Sequence, residues 1–194
     1  MSNTGYIILN GLLLGLGLSM DAFTVSVANG LHEPDMKLPR SFLIAGAFAL
    51  FQTMMPLIGY GIVRALGKLF SWIEPLIPWI AFLLLLLIGI KMILDGVRQK
   101  EEENVGRFTI GLLLLQAVAT SIDALSVGFT VSQLQFYEAL TEALIIGIVT
   151  FLICFLGVRL GKLIGMKLSN KASILGGAVL ILVGIEILVR GLLK

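Results

Sequence analysis

Cysteine and histidine are almost missing from this chain: Cys154 and His32 are the only ones among 194 residues. That scarcity excludes a disulfide framework and a zinc site built from thiolate and imidazole ligands. It also removes Cys–His and Ser–His–Asp nucleophile arrangements, unless His32 serves, and His32 lies in a short polar loop. Cys154 reads as a small apolar residue within an apolar run. Charge is scarce too. Only 13% of the residues are charged, where ordinary globular chains carry about a quarter. The net charge is +2, with no basic stripe interleaved with aromatics, which argues against a nucleic-acid partner. No Gly-rich phosphate loop is present, and no polar stretch is long enough to house an ATPase domain.

What fills the chain instead is apolar. Hydrophobic residues make up 58% of it, and the mean hydropathy is +1.03. So much apolar side chain is hidden only in lipid. A membrane-spanning helix needs about 20 mostly apolar residues. The segments that qualify are Tyr6–Gly30, Ser41–Arg64, Pro75–Asp95, Phe108–Val131, Ala139–Leu163 and Ala172–Val189. The first has no basic residues before it and is too long for a cleavable signal, so it is read as a retained span. The expected fold is therefore an all-α integral membrane protein of six transmembrane helices, with residues 1–194 forming one transmembrane domain.

Basic residues set the expected orientation. The connectors after spans one, three and five hold Lys37, Arg40, Lys91, Arg98, Lys100, Arg107, Arg159, Lys162, Lys167 and Lys171; the opposite side holds Arg64, Lys68, Arg190 and Lys194. These counts place the first group in the cytoplasm and both termini outside. The run Lys100, Glu101, Glu102, Glu103 reads as a solvated loop.

The sequence repeats itself. Ser19-Met20-Asp21-Ala22-Phe23-Thr24-Val25 in span one matches Ser121-Ile122-Asp123-Ala124-Leu125-Ser126-Val127 in span four. Leu66-Gly67-Lys68-Leu69 resembles Leu160-Gly161-Lys162-Leu163, and Ile88-Gly89-Ile90-Lys91 is echoed by Val183-Gly184-Ile185-Glu186. Three matches in the same order argue for duplication, with residues 6–95 as one three-helix repeat and 108–189 as the other. Each repeat holds an odd number of spans, so the second enters the membrane from the opposite face. Inverted repeats of this kind recur in secondary transporters, with the substrate site at the repeat interface near the midplane. Duplication that merely builds a stable bundle is the plainer alternative.

Asp21 and Asp123 occupy matching places inside apolar spans. An uncompensated carboxylate there costs about 2.5–3.5 kcal/mol on insertion scales, and no basic residue lies near either in its own span. A protonated carboxyl bonded to backbone is the plain reading; a bound cation is the functional one. Thr24 and Ser126 follow three residues later, on the same helix face as each carboxylate. Gln52 in span two offers an amide oxygen, and Thr150 lies at a comparable depth in span five. Gln116 sits two turns before Asp123, while Asn29 reads as ending span one. Two carboxylates neutralise one divalent cation, and neutral oxygens complete the shell that Mg²⁺ or Mn²⁺ prefers. The expected metal-binding set is Asp21, Asp123, Thr24, Ser126 and Gln52. With straight helices the two aspartates stand on the order of 10 Å apart along the membrane normal, so sharing an ion requires tilted or broken helices. Met20, Met54 and Met55 read as packing residues rather than soft ligands. Pro56 is placed to kink span two. Lys91 and Glu186 read as snorkelling side chains.

At these residues the chain resembles a known family. SMDAFTVSVANG together with ATSIDALSVG is similar to the paired signatures of the manganese efflux pump family (MntP type), bacterial members of the lysine exporter superfamily. FALFQTMMPLIGYG looks like that family's second span and ILGGAVLILVGIEIL like its sixth, so the likeness runs over essentially the whole chain. The resemblance implies export of Mn²⁺ across a bacterial cell membrane, with Asp21 and Asp123 as the central acidic residues. It also implies a departure, since some relatives carry an acidic residue where this chain has Gln52. No enzymatic activity and no resident cofactor are expected; Mn²⁺ is the substrate, protons are the candidate counter-ion, and the bilayer is the partner. Exposed glycine faces permit a homo-oligomer without requiring one. Competing readings are export of a small organic cation or amino acid, a membrane enzyme acting on lipid-linked substrates, and a non-catalytic membrane scaffold.

Overall fold

The computed structural model describes residues 3–66, 77–97, 109–168 and 172–192. Among them the chain is helical throughout, with no strand. The helices are α1 (Asn3–His32), α2 (Leu38–Leu66), α3 (Ile77–Val97), α4 (Ile110–Ser121), α5 (Ala124–Val131), α6 (Phe136–Leu168) and α7 (Ala172–Leu192). Among the described residues, three stretches are long and apolar enough to cross a membrane: Gly5–His32, Leu38–Ala65 and Phe136–Gly165. Ile110–Ser121 and Ile174–Glu186 are shorter apolar helices. The chain is a helical membrane protein.

The expected spans and the observed helices coincide closely, with one exception. α1, α2 and α6 each extend a few residues beyond the expected run at both ends. His32 closes α1 rather than lying in a loop, and the α1–α2 connector shrinks to Glu33–Lys37, tied by an Arg40–Glu33 ion pair of 2.7 Å. The residues Pro75, Phe108, Lys68, Arg98, Lys100, Arg107, Lys171 and Lys194 lie outside the described part. The exception is span four. It is not one helix but two, α4 and α5, parted at Ile122 and Asp123.

α1 lies along α6, with α2 against α6 and α5, and α3 against α7; α7 also touches α1. Small residues set these distances. Gly30 and Gly161 face each other across α1 and α6, and a Cβ on Gly161 would come within 3.0 Å of the Gly30 Cα. Gly89 of α3 meets Gly177 of α7 as closely, each lying over the other's carbonyl. Such approach is how helices associate in lipid, where burial of apolar surface gives no driving force between them. The buried core runs through Ala22, Val25, Ile44, Phe48, Ala117 and Cys154, and on to Leu85 and Leu180 where α3 meets α7. Large apolar side chains cover the perimeter, among them Leu13, Leu87, Ile148 and Leu182, the last 65% exposed. In water such a surface would drive association; against acyl chains it is the solvated one.

Candidate functional site

Asp21 stands within the unbroken α1 and is 7% exposed. Asp123 stands at the break. Its backbone is helical at φ −65°, ψ −32°, and its Oδ1 accepts a hydrogen bond of 2.8 Å from the Ala124 N–H at the start of α5. The side chain thereby satisfies one of the donors that every helix start leaves open.

The sequence before Asp123 explains why the helix parts there. Thr120 Oγ1 donates to the carbonyls of Gln116 and Ala117, and Ser121 Oγ to those of Ala117 and Val118. Two successive hydroxyls bonding back into the preceding turn weaken and bend a helix. Beyond the break the bonds tighten to the three-residue spacing, with Leu125 N–H donating to Ile122 and Ser126 N–H to Asp123. Discontinuous helices at membrane depth occur where the freed backbone is buried in protein or lines a cavity.

Gln52 of α2 joins the two aspartate-bearing segments. Its Nε2 donates to the Leu18 carbonyl of α1 and the Thr120 carbonyl of α4, each at 3.2 Å. Leu18 and Thr120 are each three residues before an aspartate. The Thr120 carbonyl and the Ala124 N–H would pair with one another in an unbroken helix; here one is taken by Gln52 and the other by Asp123. The remaining side-chain oxygen, Gln52 Oε1, is fully buried and has no hydrogen-bond partner. Pro56, four residues on, has no N–H to give the Gln52 main-chain carbonyl. The stretch Gln52–Pro56 therefore concentrates acceptor oxygens where the backbones leading to both aspartates converge.

The other expected residues are placed unequally. Thr24 and Ser126 are both half-buried, and the Thr24 hydroxyl donates to the Met20 carbonyl one turn back at 2.9 Å. Thr150 of α6 is buried with its hydroxyl oxygen unpartnered. Gln116 is drawn off by Asn29: the two amides bond reciprocally at 2.8 and 3.1 Å, buried between α1 and α4. Asn29 thus does more than end a span, since α1 runs on past it to His32. Met20 and Met54 are 51% and 45% exposed, so they face outward rather than packing in the core. Sequence reasoning missed Glu142. It is fully buried on α6, and its Oε1 accepts from Asn10 Nδ2 of α1 at 2.7 Å. The signal was available as a carboxylate inside an apolar run.

Among the described residues, no group of three or more His, Cys, Asp and Glu side chains gathers. What converges is two carboxylate-bearing segments and a set of neutral oxygens. Carboxylate, amide and hydroxyl oxygens are the donors that hard divalent cations take.

Comparison with known proteins identifies the family. The family model described as "Putative manganese efflux pump" matches residues 35–188. A protein of Ruminiclostridium cellulolyticum named "Putative manganese efflux pump MntP" is 44% identical over 181 residues, covering 92% of this chain and 94% of its own. A Clostridium botulinum (strain Langeland) protein named "Putative manganese efflux pump MntP 2" is 41% identical, with 92% of each chain covered. One from Saccharophagus degradans, again named as MntP, is 40% identical over 91% of this chain and 95% of its own. These names describe transporters, not enzymes. No solved structure matches the chain. The chain belongs to the manganese efflux pump family.

Proposed function

We propose that this chain exports Mn²⁺ from the cytoplasm as a secondary transporter, through a site near the bilayer midplane built from Asp21, Asp123 and Gln52, with Thr24 and Ser126 beside them. The observation that carries the reading is the position of Gln52. One amide nitrogen holds the backbones leading to both aspartates, and the amide oxygen beside it is buried and unpartnered. The broken helix at Asp123 supplies the bend that lets two aspartates on different segments serve one cation. The names of the relatives supply the metal.

In this reading the six spans form two inverted three-helix repeats, with α4 and α5 together as span four. Helix contacts support it. α1 packs on α6 as α4 and α5 pack on α2; α1 meets α7 as α4 meets α3; α2 with α6 and α3 with α7 are pairs of counterparts. The larger contacts are thus returned by their equivalents, as a two-fold axis in the membrane plane requires. Both termini lie outside the bacterial cell membrane, the basic connectors inside. Energy comes from an ion gradient or the membrane potential, with protons as the counter-ion.

The test is the manganese content of cells that lack their own exporter and are challenged with manganese. Expression of the parent lowers it, and Asp21→Asn or Asp123→Asn at matched membrane levels does not. A parent that leaves manganese unchanged sinks the reading and moves organic-cation export or a scaffold ahead. Variants that export as well as the parent move the site elsewhere.

A further inference from the structure

A second buried carboxyl group stands on α6, away from the two aspartates. Glu142 is 0% exposed; one of its oxygens accepts from Asn10 and the other, Oε2, is buried with no partner. An ionised carboxylate with a bare buried oxygen is costly, and removing that cost takes a proton or a cation.

Packing and partners decide between the two. Gly11 of α1 lies against Glu142, and a Cβ there would stand 3.4 Å from the Glu142 Cγ. A divalent ion needs several oxygen ligands, and the side-chain partner the structure gives this carboxylate is the single Asn10 amide, through its nitrogen. Among the described residues the neighbouring helices bring Glu142 no basic partner. α1 presents Asn10. α2 presents Tyr60 near Ala139, one turn before Glu142, with Arg64 bonded to the Tyr60 hydroxyl at 2.6 Å. On α7 the acidic Glu186 is exposed. A proton neutralises one carboxylate completely and takes no space.

The location gives that proton a use. Asn10 and Asp21 are eleven residues apart on α1, three helical turns, so they fall on one stripe of the helix. Leu14 and Leu18 occupy the stripe between them. Glu142 therefore stands at the amino-terminal end of the line that passes Asp21, on the seam where α1 meets α6.

We propose that Glu142 is a proton-binding site at the outer end of the α1–α6 seam, loaded from outside and emptied as the transporter cycles. The proposal rests on the manganese-export reading. Binding is a simple protonation, carboxylate to carboxylic acid on Oε2, while Oε1 keeps its bond from Asn10. The bare oxygen marks where the proton goes.

The test uses the full chain in liposomes, with Mn²⁺ flux and lumenal pH followed together. The parent moves protons against Mn²⁺. Glu142→Gln, which keeps the shape and the acceptor for Asn10, carries Mn²⁺ down its gradient and loses the proton movement. If Glu142→Gln moves protons as the parent does, the proton site is wrong and the exporter reading stands. If the parent carries Mn²⁺ with no pH change, the proton site and the proton counter-ion both fall while Mn²⁺ export stands. If the parent carries no Mn²⁺, the exporter reading fails, and infrared difference spectra on acidification judge Glu142 alone. A carboxylic-acid carbonyl band lost in Glu142→Gln supports the site; an unchanged spectrum overturns it. Should Glu142→Gln not fold, Asn10→Ala replaces it in the infrared experiment: the band shifts if it belongs to Glu142, and an unshifted band overturns the proposal.

Discussion

Asp21 and Asp123 share a seven-residue pattern, Ser-x-Asp-Ala-x-(Thr/Ser)-Val, yet sit in different backbones. Asp21 belongs to a helix that runs unbroken from Asn3 to His32, while Asp123 caps a new helix after a break. The residues on either side account for part of the difference. Before Asp123 two adjacent hydroxyls, Thr120 and Ser121, bond backwards; before Asp21 only Ser19 does, to the Leu16 carbonyl. Thr120 stands where the first segment has Leu18. Gln52 touches both carbonyls, but Leu18 lies in an unbroken helix, and its carbonyl has a second lone pair for the bond from Gln52. Likeness in sequence therefore set where the carboxyl groups stand, and small local differences decided which backbone breaks beside one.

The strongest way to break this comparison is to separate charge from capping at Asp123. Asn caps a helix about as well as Asp, so Asp123→Asn keeps the α5 start and removes the charge. We expect Asp21→Asn and Asp123→Asn each to abolish manganese transport in proteoliposomes, and the double variant to be no worse than either. Export by Asp123→Asn at the parent's rate, with loss only in Asp123→Ala, would show Asp123 to be a cap and Asp21 to work alone.

Gln52 comes next. Gln52→Leu removes both bonds to the paired carbonyls and the buried oxygen, at about 1–3 kcal/mol for the Thr120 carbonyl left bare. The manganese concentration for half-maximal transport should rise by about tenfold or more, since 1.4 kcal/mol is tenfold. Gln52→Glu returns an oxygen but not the two-hydrogen donor, and it should transport better than Gln52→Leu. Equal transport by Gln52→Leu and the parent would mean that the bridge is packing alone.

The smallest effects belong to the hydroxyls. The Thr24 proton is committed to the Met20 carbonyl, so its side chain is held by its own helix. Ser126→Ala should therefore weaken apparent manganese affinity more than Thr24→Ala, by about threefold, in keeping with one neutral hydrogen-bonding group of about 0.5–1.5 kcal/mol. A larger loss in Thr24→Ala would reverse the assignment of the two segments.

Composition alone made a helical membrane chain legible, because transfer into lipid is a sum over local side chains and a run of about 20 apolar residues suffices. The helices α1, α2, α6 and α7 fall where that sum places them. The carboxylates at 21 and 123 were legible for the same reason, as expensive exceptions within apolar runs. The split of span four into α4 and α5 was not, although Ala-Thr-Ser before Asp123 and the Gln52–Pro56 spacing carried part of the signal. Neither the Gln52 bridge, the Asn29–Gln116 amide pair nor the Glu142–Asn10 contact could be read from local pattern. Their partners lie 68, 87 and 132 residues apart in the chain. Sequence determined what each segment must hide from lipid; only tertiary structure decided which polar groups meet once hidden, because a hydrogen bond needs its partner at about 3 Å and local pattern does not record that distance.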